Sequence, residues 1–222
     1  MAILHHGILG GFSGKVGNIV GYRYKNQYCI RQMPRKSIKP AGNKQLSQRE
    51  KFKLSMALIS PLRDQLKQLP EKGKRRISAF NCCLSKVLRK VIGGTYPEYS
   101  FNYAALQLSS GSLSAGYCHS VYAAENDLIF NWCPDTPDFY LDRKLVMLAY
   151  NPLRKKWVCE TLELRSGDCM GILSLPCSFI GEQVETYMYF IKTNGKTVSD
   201  SIHLGTVNLS DASFSEALIN LN

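Results

Sequence analysis

Phe190-Ile-Lys-Thr-Asn194-Gly195-Lys-Thr-Val-Ser199 sets an asparagine–glycine pair between two short runs rich in β-branched and aromatic residues. Asparagine and glycine accept the left-handed backbone that a tight hairpin needs, so the stretch predicts two antiparallel strands. Working outward from it, the chain after about Tyr99 keeps that character. The stretches 113–122, 127–132, 145–150, 157–164, 171–175, 185–191 and 197–207 are short, β-branched or aromatic, and separated by turn residues. Seven such strands with few helical patterns point to an antiparallel β-sandwich of immunoglobulin or fibronectin type.

The half of the chain before this region reads differently. Gly7 to Tyr24 is rich in glycine and turns β-like from Val16, and Lys25-Asn26 makes a tight turn into Gln27-Tyr-Cys-Ile-Arg-Gln-Met33. That is a second hairpin. Ser47-Gln-Arg-Glu50 has the form of a capping box, which predicts a helix starting there. Beyond it Phe52, Ile59, Leu62, Leu66 and Leu69 recur at helical spacing, and Pro61 kinks or restarts the helix. Ile77, Phe80, Leu84, Leu88 and Val91 form the stripe of a second helix, which Gly93-Gly94 would end. The fold class expected is therefore α+β: a basic N-terminal β-hairpin and a helical hairpin, followed by the sandwich, with a boundary between 1–98 and 99–222.

Charge follows the same division. Residues 1–98 hold 20 Lys/Arg against 4 Asp/Glu, and residues 99–222 hold 8 against 13, so a strongly basic half precedes a mildly acidic one. Such asymmetry is the mark of a polyanion-facing surface joined to a separate folded part. The candidate phosphate contacts are Arg31, Arg35, Lys36 and Lys39 near the hairpin, and Arg49 and Lys53 on the first helix. Lys74 and Arg75 stand between the helices, and Lys86, Arg89 and Lys90 opposite the second apolar stripe. Tyr22, Tyr24 and Tyr28 interleave with them and could stack on bases.

Motifs of catalysis are missing from the pattern. Gly11-Phe-Ser-Gly-Lys15-Val16 fails as a phosphate-binding P-loop, which needs glycine where Leu9 stands and a hydroxyl where Val16 stands. His5, His6, His119 and His203 fall in no metal-binding spacing, and Cys118-His119 in a strand would face opposite sides of a sheet. No G-x-S-x-G elbow occurs, and the serine cluster 109–114 reads as a turn. Asp135, Asp138 and Asp142 could bind a cation, although an acidic loop with prolines is more often only solvated. The eight cysteines lack a Cys-x-x-Cys pair and read as free, mostly buried thiols. No catalytic residue, metal site or cofactor is expected.

The opening Gly10-Gly-Phe-Ser-Gly-Lys-Val-Gly-Asn-Ile-Val-Gly-Tyr22, with Ile30-Arg31 before Pro34 and then Gln48-Arg49 and Phe52, resembles that of an uncharacterised bacterial family. Members of that family run about this length and form a domain of unknown function. Glu185-Thr-Tyr-Met-Tyr-Phe190, Val198-Ser-Asp-Ser201 and Leu204-Gly205 resemble its closing hairpin, and Asp142 to Tyr150-Asn151-Pro152 its middle. The resemblance implies the fold partition just read, and it implies no activity.

The expectation is a non-enzymatic protein that binds nucleic acid or another polyanion through its basic half. The alternative is a self-assembling subunit, a homo-oligomer whose copies meet through opposite charges or through a donated strand. No apolar run reaches the roughly 20 residues a membrane helix needs, and Met1-Ala-Ile-Leu-His-His-Gly lacks the basic start of a signal peptide. A cytoplasmic protein without membrane contact is expected.

Overall fold

A computed structural model describes residues 3–4, 11–24, 26–35, 40–71, 77–136, 139 and 142–209. The chain divides into two compact units, Met1–Asn43 and Lys44–Asn222.

The first unit is an antiparallel meander of four strands in sequence order: β1 (Ile3–Leu4), β2 (Phe12–Val16), β3 (Ile19–Tyr24) and β4 (Gln27–Gln32). Val16 pairs with Ile19 across a two-residue turn in which Gly17 takes φ +55°, a backbone that side chains resist. Tyr24 pairs with Gln27 around Asn26 at φ 65°, so the hairpin expected at Lys25-Asn26 is present. The sheet has little to hide behind. Gly21 is its one buried residue among those described, and Val16, Ile19 and Ile30 are all exposed.

The second unit carries the core. Its helices are α1 (Asn43–Ile59), α2 (Arg63–Lys67) and α3 (Ala79–Lys86), and a 3₁₀ turn at Ser60–Leu62 joins the first two. Pro61 sits at the start of that turn, so the chain restarts there. Ser78 caps α3 by accepting from the Asn81 amide at 3.4 Å, and a π turn over Val87–Val91 closes it. A short hairpin follows, β5 (Ile92–Thr95) with β6 (Glu98–Phe101).

Seven further strands form two antiparallel sheets. They are β7 (Tyr117–Ala124), β8 (Asp127–Cys133), β9 (Arg143–Asn151), β10 (Lys156–Glu163), β11 (Met170–Ser174), β12 (Gln183–Lys192) and β13 (Ile202–Asn208). One sheet runs β10-β9-β12-β13 and the other β11-β8-β7. The fourth strand, β10, pairs with β9 and not with β11, which departs from the constant-type immunoglobulin order and leaves a three-plus-four, fibronectin-like sandwich. Alternate residues of β8, namely Leu128, Phe130 and Trp132, meet Leu145, Met147, Val184, Met188 and Phe190 in the inter-sheet core.

The other face of the four-stranded sheet is covered as well. Val146, Leu148, Tyr150, Tyr187, Tyr189 and Ile191 pack against Leu58, Ile59, Leu62, Leu66, Ala79, Cys83, Val87 and Val91 of the helical segment. The Trp157 indole donates to the Leu58 carbonyl at 2.8 Å, one of the carbonyls a helix end leaves open. Leu145 to Asn151 are therefore buried without alternation. The helices form a third layer on the sandwich. The compact units thus divide at Asn43, whereas the boundary expected from charge falls at residue 98, inside the β5–β6 segment.

Local details differ from expectation for identifiable reasons. Ser47 does not cap a helix, because α1 begins four residues earlier and the Ser47 hydroxyl is bound to the Tyr99 hydroxyl at 2.7 Å. Phe52 is exposed, and Ser55 and Leu58 take the buried side with Ile59. In the second helical segment the buried stripe is Ala79, Cys83, Val87 and Val91; Val91 is as expected, and the other three fall one residue before Phe80, Leu84 and Leu88. The small residues face the core while Phe80, Leu84 and Leu88 flank it, and Ile77 is exposed. Gly93 and Gly94 lie in β5 rather than at a helix end, and a Cβ on Gly94 would sit 2.6 Å from the Glu98 carbonyl oxygen. At Asn194-Gly195 the hairpin forms, but the closing bond is from the Lys192 amide to the Thr197 carbonyl, and only Gly195 is left-handed. The loop therefore spans four residues. Cys83 alone among the eight cysteines is buried, so the thiols are less hidden than their residue type suggests.

Candidate nucleic-acid interface

The register of the first unit sorts the candidate residues onto two faces. Lys15 pairs with Val20 and Val20 with Arg31, while Tyr22 pairs with Cys29 and Tyr24 with Gln27. Directly paired residues share a face and alternate residues of one strand do too, so Lys15, Arg31, Tyr22 and Tyr24 lie together. Tyr22 is 40% exposed and Tyr24 59%. They stand two residues apart on β3, about 7 Å at the usual strand rise. The Arg31 guanidinium lies 5.5 Å from the centre of the Tyr22 ring. At the near end of this row Lys15 and Arg31 flank Val20, two cations on the strands either side of the tyrosines.

Tyr28 belongs to the opposite face, across from Arg23. Its ring covers the main chain at Gly11, where a Cβ would fall 1.9 Å from a ring carbon. Phe12 covers Gly21 on that same face, where a Cβ would lie 2.5 Å from the Phe12 carbonyl oxygen. The glycines of the opening therefore make room for aromatic rings. Arg23 also lies on this side and donates to Asn26 Oδ1 at 2.9 Å. The three tyrosines do not form one stacking platform; two of them do.

Arg35 is exposed just beyond β4. Lys36, Lys39, Lys74 and Arg75 lie outside the described residues. In the second unit Arg49 and Lys53 fall within about 40° of each other on α1, at 100° per residue, and both are exposed. Lys53 lies 3.7 Å from Glu50. Arg89 and Lys90 are exposed on the π turn, whereas Lys86 donates to Gln107 Oε1 at 2.9 Å and is half-buried. Lys51, not singled out above, sits 5.3 Å from the centre of the Tyr99 ring.

Several polar clusters missed in the sequence have structural partners. Glu185 is buried, accepts from Thr206 Oγ1 at 2.9 Å and lies 2.7 Å from His203 Nε2. The contact joins β12 to β13 through a Glu185–Thr206 strand pair, a signal that becomes readable only once the register is known. Glu182 takes the Arg154 Nε hydrogen at 2.8 Å and an Asn151 amide hydrogen, so its carboxyl is held below the usual range. Asp135 is bonded by the Ser114 side chain, which likewise lowers its carboxyl. Asp138 lies outside the described residues. Among the described residues no three His, Cys, Asp or Glu side chains converge as a metal ion requires. Burial pushes the Cys83 thiol up to about 12, which makes it a poor nucleophile. Also among the described residues, no helix is long and apolar enough to cross a membrane.

No curated protein matches the chain. Among solved structures it is similar in part to a family 76 glycoside hydrolase from a bovine Bacteroides thetaiotaomicron strain, at 14% identity and TM-score 0.33, over 42% of this chain and 20% of that one. It is similar also to the chicken interferon gamma receptor alpha chain, at 7% identity and TM-score 0.36, over 51% of this chain and 56% of that one. The chain thus spans about a fifth of the first and just over half of the second. A shared sequence pattern runs much further, over residues 11–205, from the glycine-rich opening to Gly205 of the last strand, and by it the chain belongs to a family of unknown function, DUF6266.

Proposed function

We propose that this protein is a non-enzymatic nucleic-acid-binding protein that holds single strands on the Tyr22–Tyr24–Arg31–Lys15 face. The observation that carries the reading is the placement of two exposed tyrosines at alternate positions of one strand, beside two cations on the neighbouring strands. Four-stranded RNA-binding sheets work in this way, with aromatic side chains stacking successive bases while basic groups meet the backbone phosphates. Charge supports it further. Residues 1–43 hold seven Lys/Arg and no Asp or Glu, so no local carboxylate competes with phosphate there. Arg49, Lys53, Arg89 and Lys90 supply further exposed cations in the second unit.

Self-assembly is the second reading, and one feature favours it. Val16, Ile19 and Ile30 share the face opposite the tyrosine pair, and all three are exposed, Ile30 by 63%. Apolar groups clustered in this way suit a second copy of the chain.

One experiment separates the two readings. The full chain is titrated against labelled single-stranded and duplex oligonucleotides across a salt series, with its mass followed by light scattering. The first reading expects a monomeric chain that prefers the single strand, with a salt slope equivalent to several phosphates. Absence of binding at low salt, with mass rising as protein concentration rises, would overturn it in favour of assembly.

A further inference from the structure

We propose that Cys118 and Cys133 are a redox-sensitive pair that closes to a reversible disulfide at the end of the three-stranded sheet. The inference does not depend on the nucleic-acid reading.

The backbone brings the two together. Strands β7 and β8 pair through Tyr117 and Cys133, and pairing resumes at Ser120 and Asn131. Between those pairs β7 has two residues, Cys118 and His119, while β8 has one, Trp132. This is a β-bulge. In a regular strand Cys118 would point to the face opposite Tyr117 and its partner Cys133. Here Cys118 adopts φ 52°, a left-handed backbone that is unusual outside glycine, and this breaks the alternation. Its thiol consequently comes within hydrogen-bonding reach of the Cys133 thiol. Cys133 is opposed to Tyr117, the residue before Cys118, so Cys118 stands diagonally across from it on the neighbouring strand. Opposed residues lie about 4.5–5.5 Å apart, and one step of about 3.3 Å along the strand brings the diagonal Cα–Cα spacing to about 6 Å, inside the range a disulfide spans.

The surroundings leave the pair free to react. Neither cysteine is in a disulfide in this structure, and Cys118 is exposed while Cys133 is half-buried. His119 is held to the Ala115 carbonyl by its Nε2 at 2.8 Å. Cys169, also exposed, is near enough to add to the rise of the Cys133 thiol, and its carbonyl accepts from the Trp132 amide at 3.1 Å. The exposure of Cys118 and the half-buried position of Cys133 assign the order of events. Cys118 attacks first and Cys133 resolves.

The oxidant is a small-molecule disulfide such as oxidised glutathione. The Cys118 thiolate attacks one of its sulfurs, the sulfur–sulfur bond breaks, and one glutathione thiolate leaves. Cys133 then gives up its proton and attacks the Cys118 sulfur of the mixed disulfide, expelling the second glutathione thiolate. Two protein thiols are oxidised and one external disulfide is reduced to two thiols, which take up the two protons.

The sequence makes the test clean. No Lys or Arg occurs between Lys90 and Arg143, so both cysteines fall in the tryptic peptide 91–143, while Cys169 and Cys177 fall in 166–192. The folded full chain is equilibrated with a glutathione redox series, alkylated, digested and weighed. The expected result is a peptide 91–143 that is lighter by two hydrogen atoms, resists alkylation, and regains both thiols on reduction. Cys118→Ser and Cys118→Ala should each abolish that species while keeping the wild-type thermal unfolding curve, and Cys177→Ser should leave it intact. The proposal is overturned if both thiols of the peptide remain alkylatable under oxidising conditions, or each carries its own glutathione. It is overturned equally if the peptide is recovered cross-linked to 166–192.

Discussion

Two four-stranded antiparallel sheets in this chain meet water in opposite ways. The β1–β4 sheet exposes both faces, and its tyrosines, isoleucines and cations stand in solvent. The β10-β9-β12-β13 sheet is covered on both faces, by three strands on one side and helices on the other. Val184 to Ile191 along β12 are buried without a break. The strands of the first sheet are shorter, 2 to 6 residues against 7 to 10. Both sheets are hydrogen-bonded in the same antiparallel manner, and they differ chiefly in the partner each face was given. A sheet buried twice spends its side chains on packing, and its sequence is nearly continuous in apolar residues. A sheet left bare keeps its side chains for something outside itself. The lack of any carboxylate in residues 1–43 is what favours a polyanion in the function proposed here.

The contrast can be broken most forcefully through the core. Phe190 lies edge-on to Phe139 at 5.1 Å and to Trp132 at 6.0 Å between the sandwich sheets. Phe190→Ala should cost about 3–5 kcal/mol in urea unfolding. Ile30→Ala on the bare sheet should cost about 0.5 kcal/mol or less. Equal costs would mean that the β1–β4 sheet has a hidden partner.

Tyrosine substitutions give the next largest effect and sharpen the division between the two faces of the first sheet. Replacing Tyr22 or Tyr24 with alanine should weaken single-strand binding by about 1–3 kcal/mol for each stacked base lost, with thermal unfolding unchanged. Tyr28→Ala should act in reverse, lowering hydrogen-exchange protection of β2–β4 because its ring covers Gly11. Arg31→Gln should reduce affinity evenly across sequences and lower the salt slope by about 1.

Acid titration separates the two units more gently. Hydrogen bonds from Arg154 and Lys144 hold the carboxyls of Glu182 and Glu163 below their ordinary range, and that from Ser114 does so for Asp135. A carboxyl whose value falls on folding adds stability above its unfolded value, and that stability is lost as pH drops through the folded one. The second unit should therefore lose protection below about pH 4, and Glu182→Gln should flatten part of that limb. Residues 1–43 contain no Asp or Glu, so β2–β4 should show no acid limb of their own.

Much of this was legible from residue pattern. Short β-branched or aromatic runs between turn residues mark the seven sandwich strands, and β8 alternates because it shows one face to the core. The third layer was harder to foresee, although Leu145-Val-Met-Leu-Ala-Tyr150 carries the continuous apolar run of a strand buried twice. The charge balance changes near residue 98 while the compact units divide at Asn43, since charge marks surface and says little about which elements share a core. The split of Tyr22 and Tyr24 from Tyr28 follows from alternation once the two-residue turn fixes the register. The bulge that turns Cys118 toward Cys133 has no such sign, because it depends on one left-handed residue without glycine's signature.

The central claim is that the bare sheet binds a single strand through its tyrosine pair, and anisotropy of a labelled single-stranded oligonucleotide tests it directly. The full-length wild type is compared with the Tyr22→Ala/Tyr24→Ala double variant at low salt. Binding by the wild type, with a loss of at least about tenfold in the double variant, is expected from stacking energies of about 1–3 kcal/mol per base. Equal affinity of the two proteins, or no binding by the wild type, would contradict it.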